Sequence, residues 1–289
     1  MRTNTPGSEQ KHEQKHEQKH EQEPTSAVIE IRKYSVAVGH KTLLKNVNLA
    51  VAKGEIFGVV GPSGSGKTTL LRAIAGAGPA GSGWIEVLGN KMPTRRVSAS
   101  IGYMAQADAL YEDLTGNENL SFFAGLQGLS GRTLKTRVQF VTQLVELERD
   151  LDKLVRNYSG GMKRRLSLAI ALMHNPDVLL LDEPTVGVDP VLRQAFWREF
   201  EDRKQAGVSL VITTHVMDEA KRCDRLAFIR GGRLIALGTP AELLTVSESA
   251  DLEEAFLYFA ATAENESDES AIAGQAEGRG SHRKGRIRR

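Results

Sequence analysis

The stretch Gly61 to Thr69 reads GPSGSGKTT, and its spacing decides the fold. A glycine (Gly61), the four residues Pro62, Ser63, Gly64 and Ser65, then Gly66, Lys67 and Thr68, with Thr69 behind them, form the pattern of a phosphate cradle. Glycines allow backbone torsions closed to other residues, so successive N–H groups can turn inward around a polyanion. In such a cradle Lys67 reaches the β- and γ-phosphates and the Thr68 hydroxyl ligates Mg²⁺. The flanks agree: Ile56 to Val60 (IFGVV) predicts a short buried strand before the loop, and Thr68 to Ala75 (TTLLRAIA) a helix after it. A helix N-terminus adds unpaired N–H groups and a partial positive charge, both favourable to phosphate.

Composition narrows the field further. The 289 residues are enough for one large domain or two small ones, and a net charge of +2 gives no argument for nucleic acid as the main partner. Cys223 is the only cysteine, so an internal disulfide is excluded and an inert thiol in a reducing compartment is expected. Apolar runs such as Ala255 to Ala261 fall far short of the roughly 18–20 residues that cross a bilayer, and the first residues lack a signal peptide's apolar segment. Any membrane role therefore has to pass through a partner.

Outward from the loop, the chain divides into segments. Residues 1–27 carry the EQKH repeat, in which His12, His16 and His20 would share a face if helical; with almost nothing apolar to bury, a disordered tail is expected. VIEIRKYSVAV from Val28 and the following LLKNVNLAVAKGEIFGVVG read as strands with a turn at Lys53 and Gly54, and Trp84 lies in another strand bounded by glycines. From about Glu118 to Met173 the pattern turns helical: ENLSFFAGL, TLKTRVQFVTQLVELERDLD and MKRRLSLAIALM, the last with a stripe of Leu166, Ala169, Ile170 and Met173. Strand and helix alternation then resumes with DVLLL (Asp177 to Leu181), a helix capped by Asp189 and Pro190, and VSLVIT (Val208 to Thr213). Such alternation implies a mostly parallel sheet with helices on its faces. A hairpin about Gly231 and Gly232, a capping box at Thr239 and Glu242, and the amphipathic LEEAFLYFA bring the domain to about Ala261. Residues 262–289 end in RGSHRKGRIRR and are expected to be a disordered charged tail, with a weak attraction to anionic lipid or RNA as the minor alternative.

Two features carry chemistry beyond the cradle. Asp182 and Glu183 end the DVLLL strand, where an open parallel sheet exposes its ligand crevice. Asp182 is placed to hold the Mg²⁺ that Thr68 touches, while Glu183 can orient water for in-line attack on a γ-phosphate. Ser159, Gly160 and Gly161 open a second helix, and so a second anion site. One nucleotide cannot use both sites within one subunit if the helical block stands apart from the sheet, so two subunits lying head to tail are the simplest arrangement.

With these residues in order, the chain resembles the ATP-binding subunit of an ABC transporter over about Val28 to Ala261. YSGGM (Tyr158 to Met162) stands for the usual LSGGQ, with Ser159, Gly160 and Gly161 intact; Gln106 in YMAQAD matches the glutamine that senses Mg²⁺ and couples to the membrane subunit; Asp189 in GVDP matches the inter-subunit aspartate; and His215 in TTH matches the switch histidine at the γ-phosphate. The resemblance implies an α/β P-loop NTPase with a RecA-like, mostly parallel core, an antiparallel β subdomain and an inserted helical subdomain at about 107–175. It implies Glu183, His215 and Gln106 as catalytic, Thr68, Gln106 and Asp182 around Mg²⁺, and ATP bound by Gly61 to Thr69 together with Ser159, Gly160, Gly161 and Asp189. The aromatic residue that stacks adenine in the family has no clear counterpart: by spacing its place falls on Val38, with Tyr34 four residues earlier. Either Tyr34 reaches the base through a local shift, or stacking is weak and ATP is poorly distinguished from GTP.

DLTGNENLSFFAGLQGL, DEPTVGVDP and LEEAFLYFA look like exporters whose permease is a separate chain, whereas importer subunits more often continue into a regulatory β-domain. The expected partners are an integral membrane permease, with its helix seated near Gln106 and Ala107 to Tyr111, and a second ATPase subunit, taken as another copy of this chain. No nucleic acid is expected, and the location implied is the cytoplasmic face of the membrane. The competing reading is a soluble ABC ATPase acting on nucleic acid or the ribosome; such relatives usually carry coiled-coil insertions or two ATPase domains. A lone nucleotide-dependent regulator is the third.

Overall fold

A computed structural model describes residues 27–106 and 109–265. The EQKH repeat, the basic run near the C-terminus, Ala107 and Asp108 lie outside the described residues. In chain order the strands are β1 (Ala27–Val38), β2 (Lys41–Ala52), β3 (Ile56–Val60), β4 (Ser82–Val87), β5 (Asn90–Lys91), β6 (Ile101–Met104), β7 (Val178–Asp182), β8 (Ser209–Thr214), β9 (Arg225–Arg230) and β10 (Arg233–Gly238). The helices are α1 (Lys67–Ile74), α2 (Gly116–Leu126), α3 (Gly131–Leu144), α4 (Gly160–Leu172), α5 (Pro190–Gln205), α6 (Met217–Ala220), α7 (Pro240–Ser247) and α8 over 252–265.

Two sheets result. One is antiparallel in the order β2-β1-β4-β5; the other runs β10-β9-β3-β8-β7-β6, parallel from β9 to β6 with β10 closing it as an antiparallel edge. The central strands are apolar on both faces, which is why they read as continuous runs rather than as alternations. Ile56, Val60, Leu179, Leu181, Leu210 and Ile212 face a core shared with α2 to α5, while Phe57, Val59, Val178, Leu180 and Val211 face a second core under α1 and the antiparallel sheet. At about 1.5–3 kcal/mol for each fully buried large aliphatic, these two layers dominate the stabilisation of the domain.

The helical block lies between β6 and β7, and it does not stand clear of the sheet. Leu168, Ala169 and Leu172 of α4 are buried in the same core as Met104, Leu179 and Leu181. Arg137 of α3 holds the far end of α4, donating to Met173 O at 2.8 Å and Leu172 O at 2.6 Å. The long helix expected through Asp152 stops instead at Leu144. Glu146 takes a left-handed φ of 52°, Leu147 N–H bonds back to Thr142 O at 3.0 Å, and the Leu147 side chain is buried completely. This is a Schellman stop without glycine, driven by burial of the residue behind it. At the chain's end, α8 continues four residues past Ala261.

Candidate functional site

The loop after β3 is clasped from two sides. A Cβ on Gly61 would lie 2.2 Å from Ile229 O, and one on Gly66, at φ 111°, would lie 2.9 Å from Leu43 O. Gly64, also left-handed, faces open space, as a loop that wraps a ligand requires. Gly66 caps α1 without any side-chain hydrogen bond, so the first-turn N–H groups remain available to an anion. The cleft so formed holds about 400 Å³ and is lined by Ser63, Gly64, Gly66, Lys67, Thr68, Thr69, Gln106 and Glu183, with Lys41 to Leu43 from the start of β2 and Gly231 and Gly232 from the β9–β10 hairpin turn. The hairpin contributions had no sequence signal, because they depend on β1–β2 and β9–β10 folding over the loop.

Lys67 is buried and folded onto its own loop, donating to Gly61 O at 2.7 Å and Pro62 O at 3.1 Å. Its ammonium stands 3.7 Å from Glu183 Oε1. Burial lowers its pKa, an effect opposed by the carboxylates of Glu183 and Asp182. Glu183 itself sits at φ 53° and its N–H reaches Thr213 O and Oγ1. Its Oε1 is 3.3 Å from His215 Nδ1, and that imidazole is 47% exposed.

Asp182 is fully buried at the end of β7. Thr213 Oγ1 donates to its Oδ1 at 2.5 Å, while Oδ2 has no hydrogen-bond partner among the described residues. Nearby, burial and then the Asp182 charge push the Tyr103 phenol up to about 12. Thr68 Oγ1 donates to Gln106 Oε1 at 3.2 Å. A hydroxyl, an amide oxygen and an unpartnered carboxylate oxygen are hard donors of the kind Mg²⁺ takes, few in number because that ion keeps several waters. The residues present therefore fit a Mg²⁺ that also meets a phosphate.

Ser159, Gly160, Gly161 and Asp189 do not line this cleft. Ser159 caps α4, its Oγ accepting from Met162 N–H at 3.2 Å, and Gly161 lies against Gly187 of the segment that leads to Asp189. Asp189 caps α5 through Val191 N–H and Leu192 N–H; the Leu192 bond comes first among the causes that hold its carboxyl below the ordinary value. Tyr34 is only 8% exposed, with its hydroxyl directed at Pro79 O 3.5 Å away, so its ring belongs to the core and not to the cleft. Val38, 55% exposed, ends β1. Burial pushes the Cys223 thiol up, as expected of an inert cysteine.

Sequence reasoning missed Thr213, which braces Asp182, and Arg164, whose guanidinium lies among the backbone carbonyls behind the site. The TTH run held a cue to Thr213. Along the chain, Arg164 reads as one more charge on a solvated MKRR face.

The family model described as ABC transporter matches residues 44–186. The chain is 39% identical over 241 residues to the probable multidrug ABC transporter ATP-binding protein YbhF of Escherichia coli (strain K12), a match that covers 81% of this chain and 42% of that one. It is 41% identical over 233 residues to Nod factor export ATP-binding protein I of Paraburkholderia xenovorans (strain LB400), covering 80% and 77%. It thus spans less than half the length of the first relative and most of the second. Its fold is similar to a solved ATP-binding subunit of an ABC transporter, with TM-score 0.75 and 26% identity over 81% of this chain and 99% of that one. It is also similar to the dimeric cassette MJ0796 in a post-hydrolysis state bound to ADP and Pi, with TM-score 0.68 and 25% identity over 73% and 98%.

Proposed function

Because this chain belongs to the ABC transporter family of ATP-binding subunits, we propose that two copies close head to tail on two Mg·ATP molecules and drive a separate membrane permease that exports a substrate. One observation carries the reading: the Ser159-Gly160-Gly161 helix start lies outside the cleft of its own phosphate loop. A second copy brings that helix start to the γ-phosphate. Ser159 Oγ accepts from Met162 and keeps its own O–H to donate to a phosphate oxygen.

Within each cleft, Lys67 exchanges the carbonyls of Gly61 and Pro62 for the β- and γ-phosphates, and Glu183 is released from the ammonium. Glu183 then orients a water in line with the γ-phosphorus. As the new P–O bond forms and the bond to ADP breaks, the water's proton passes to the Glu183 carboxylate or a phosphate oxygen. His215 lies beside Glu183 Oε1, where it can hold a γ-phosphate oxygen. Mg²⁺, when bound, neutralises charge on the β- and γ-phosphates, and Thr68, Gln106 and Asp182 are the residues that would hold it.

No helix among the described residues is long and apolar enough to cross a membrane. Beside Gln106, a groove of about 280 Å³ lined by Met104, Ala109, Leu110, Phe123, Leu126 and Ile170 suits an amphipathic permease helix. Tyr111 and Phe122, exposed and in edge-to-face contact, extend its apolar rim. Docking there places the subunit at the cytoplasmic face. Both named relatives are export or multidrug ATP-binding proteins, which supports export over a cassette acting on nucleic acid. Glu183→Gln is the test: it halts hydrolysis, so Mg·ATP accumulates a dimer on size exclusion. A variant that stays monomeric at saturating Mg·ATP refutes the sandwich.

A further inference from the structure

Arg164 lies five residues past the Ser159 cap of α4 and is 7% exposed. Its Nη1 donates to Ala105 O and Gln106 O, both at 2.9 Å. Nη2 donates to Glu183 O at 2.5 Å and also to Asp182 O, and Nε reaches Glu183 O at 3.2 Å. The parallel ladder of β6 and β7 ends at Met104 and Leu181. Immediately beyond, where the two strands must part to admit a ligand, the guanidinium takes the carbonyls of both. Five donors in a rigid fork can do this, and the three on a lysine ammonium cannot reproduce the geometry.

We infer that Arg164 is a positioning residue that sets Gln106 and Glu183 from behind and ties them to the Ser159 end of α4. This rests on the reading of Gln106 and Glu183 as groups of the ATP site. The helix between Ser159 and Arg164 is short and rigid, so displacement of its N-terminus by a facing subunit moves the fork and the backbone it holds. Glu183 depends on this support in particular, because its left-handed φ is unfavourable for a residue with a Cβ. The serine that acts on the neighbour's nucleotide is thereby linked to the carboxylate that acts on its own.

The test compares Arg164→Lys and Arg164→Gln in the full chain, well below each variant's melting temperature. Expected is a loss in kcat of roughly tenfold or more, larger for Gln, with KM for Mg·ATP within about threefold of the parent. Hydrogen exchange rises in peptides containing Gln106 and Glu183 and stays unchanged in α5. Unchanged kcat, or faster exchange spread evenly through α5 and the sheet, overturns the inference. Should the glutamine variant fail to fold, Arg164→Lys, which keeps the charge, carries both measurements. Absence of Mg·ATP turnover in the parent would remove the ATPase reading, and the exchange pattern would then decide the fork alone.

Discussion

Thr213→Val removes one hydroxyl from a fully buried position and nearly preserves shape. In the protein that hydroxyl donates to Asp182 Oδ1 at 2.5 Å and accepts from Glu183 N–H at 3.0 Å. The Glu183 N–H keeps a second acceptor, Thr213 O at 3.1 Å, so it is not orphaned. Asp182 is the group that suffers, since its Oδ2 already has no partner among the described residues. Loss of a hydrogen bond to a buried charge costs about 1.5–3 kcal/mol. At about 2–4 °C per kcal/mol for a domain of this size, the melting temperature should fall by about 3–12 °C without nucleotide. With Asp182 holding Mg²⁺ as proposed, turnover should fall roughly ten- to a hundredfold, the usual cost of losing a residue that orients a metal ligand. Thr213→Ser, which restores the hydroxyl, should recover most of both. Calorimetry and a coupled phosphate-release assay make the measurement; a melting shift below about 2 °C together with unchanged kcat would refute the role given to Thr213.

If, as proposed, Ser159 acts on the neighbour's ATP, Ser159→Arg should abolish turnover while leaving nucleotide binding by the monomer within about threefold; equal loss of both in a fluorescent-nucleotide titration would place it in cis. Tyr34→Leu, which removes the aromatic ring, should lower the melting temperature yet leave KM for ATP within about twofold, since the ring is buried in the core away from the cleft; a large rise in KM would return Tyr34 to the base. Glu118 closes a capping box on Thr115, and the Thr115 N–H is the main cause that holds its carboxyl below the ordinary value. Its contribution is therefore complete above the unfolded pKa of about 4.3 and is lost as pH falls through the folded value. Glu118→Gln should flatten the melting-temperature profile between about pH 6 and pH 3.5, and parallel profiles would count against the cap.

What could be read along the chain were features whose cause is local. GPSGSGKTT, the all-apolar VLLL before Asp182, the Asp189-Pro190 start of α5 and the Thr239 capping box all state their structure within a few residues, because torsional freedom, burial on both faces and capping act at that range. Other decisions belong to the tertiary structure. The stop of α3 at Leu144 follows from a pocket waiting for Leu147, and the removal of Tyr34 from the cleft follows from packing against Pro79. Most of all, only the fold could bring Arg164 onto carbonyls 58, 59, 18 and 19 residues away, and set Ser159 outside its own phosphate cleft. A lysine-arginine run has the same sequence whether it meets water or unpaired backbone, and what it meets is settled by where two diverging strands leave their carbonyls.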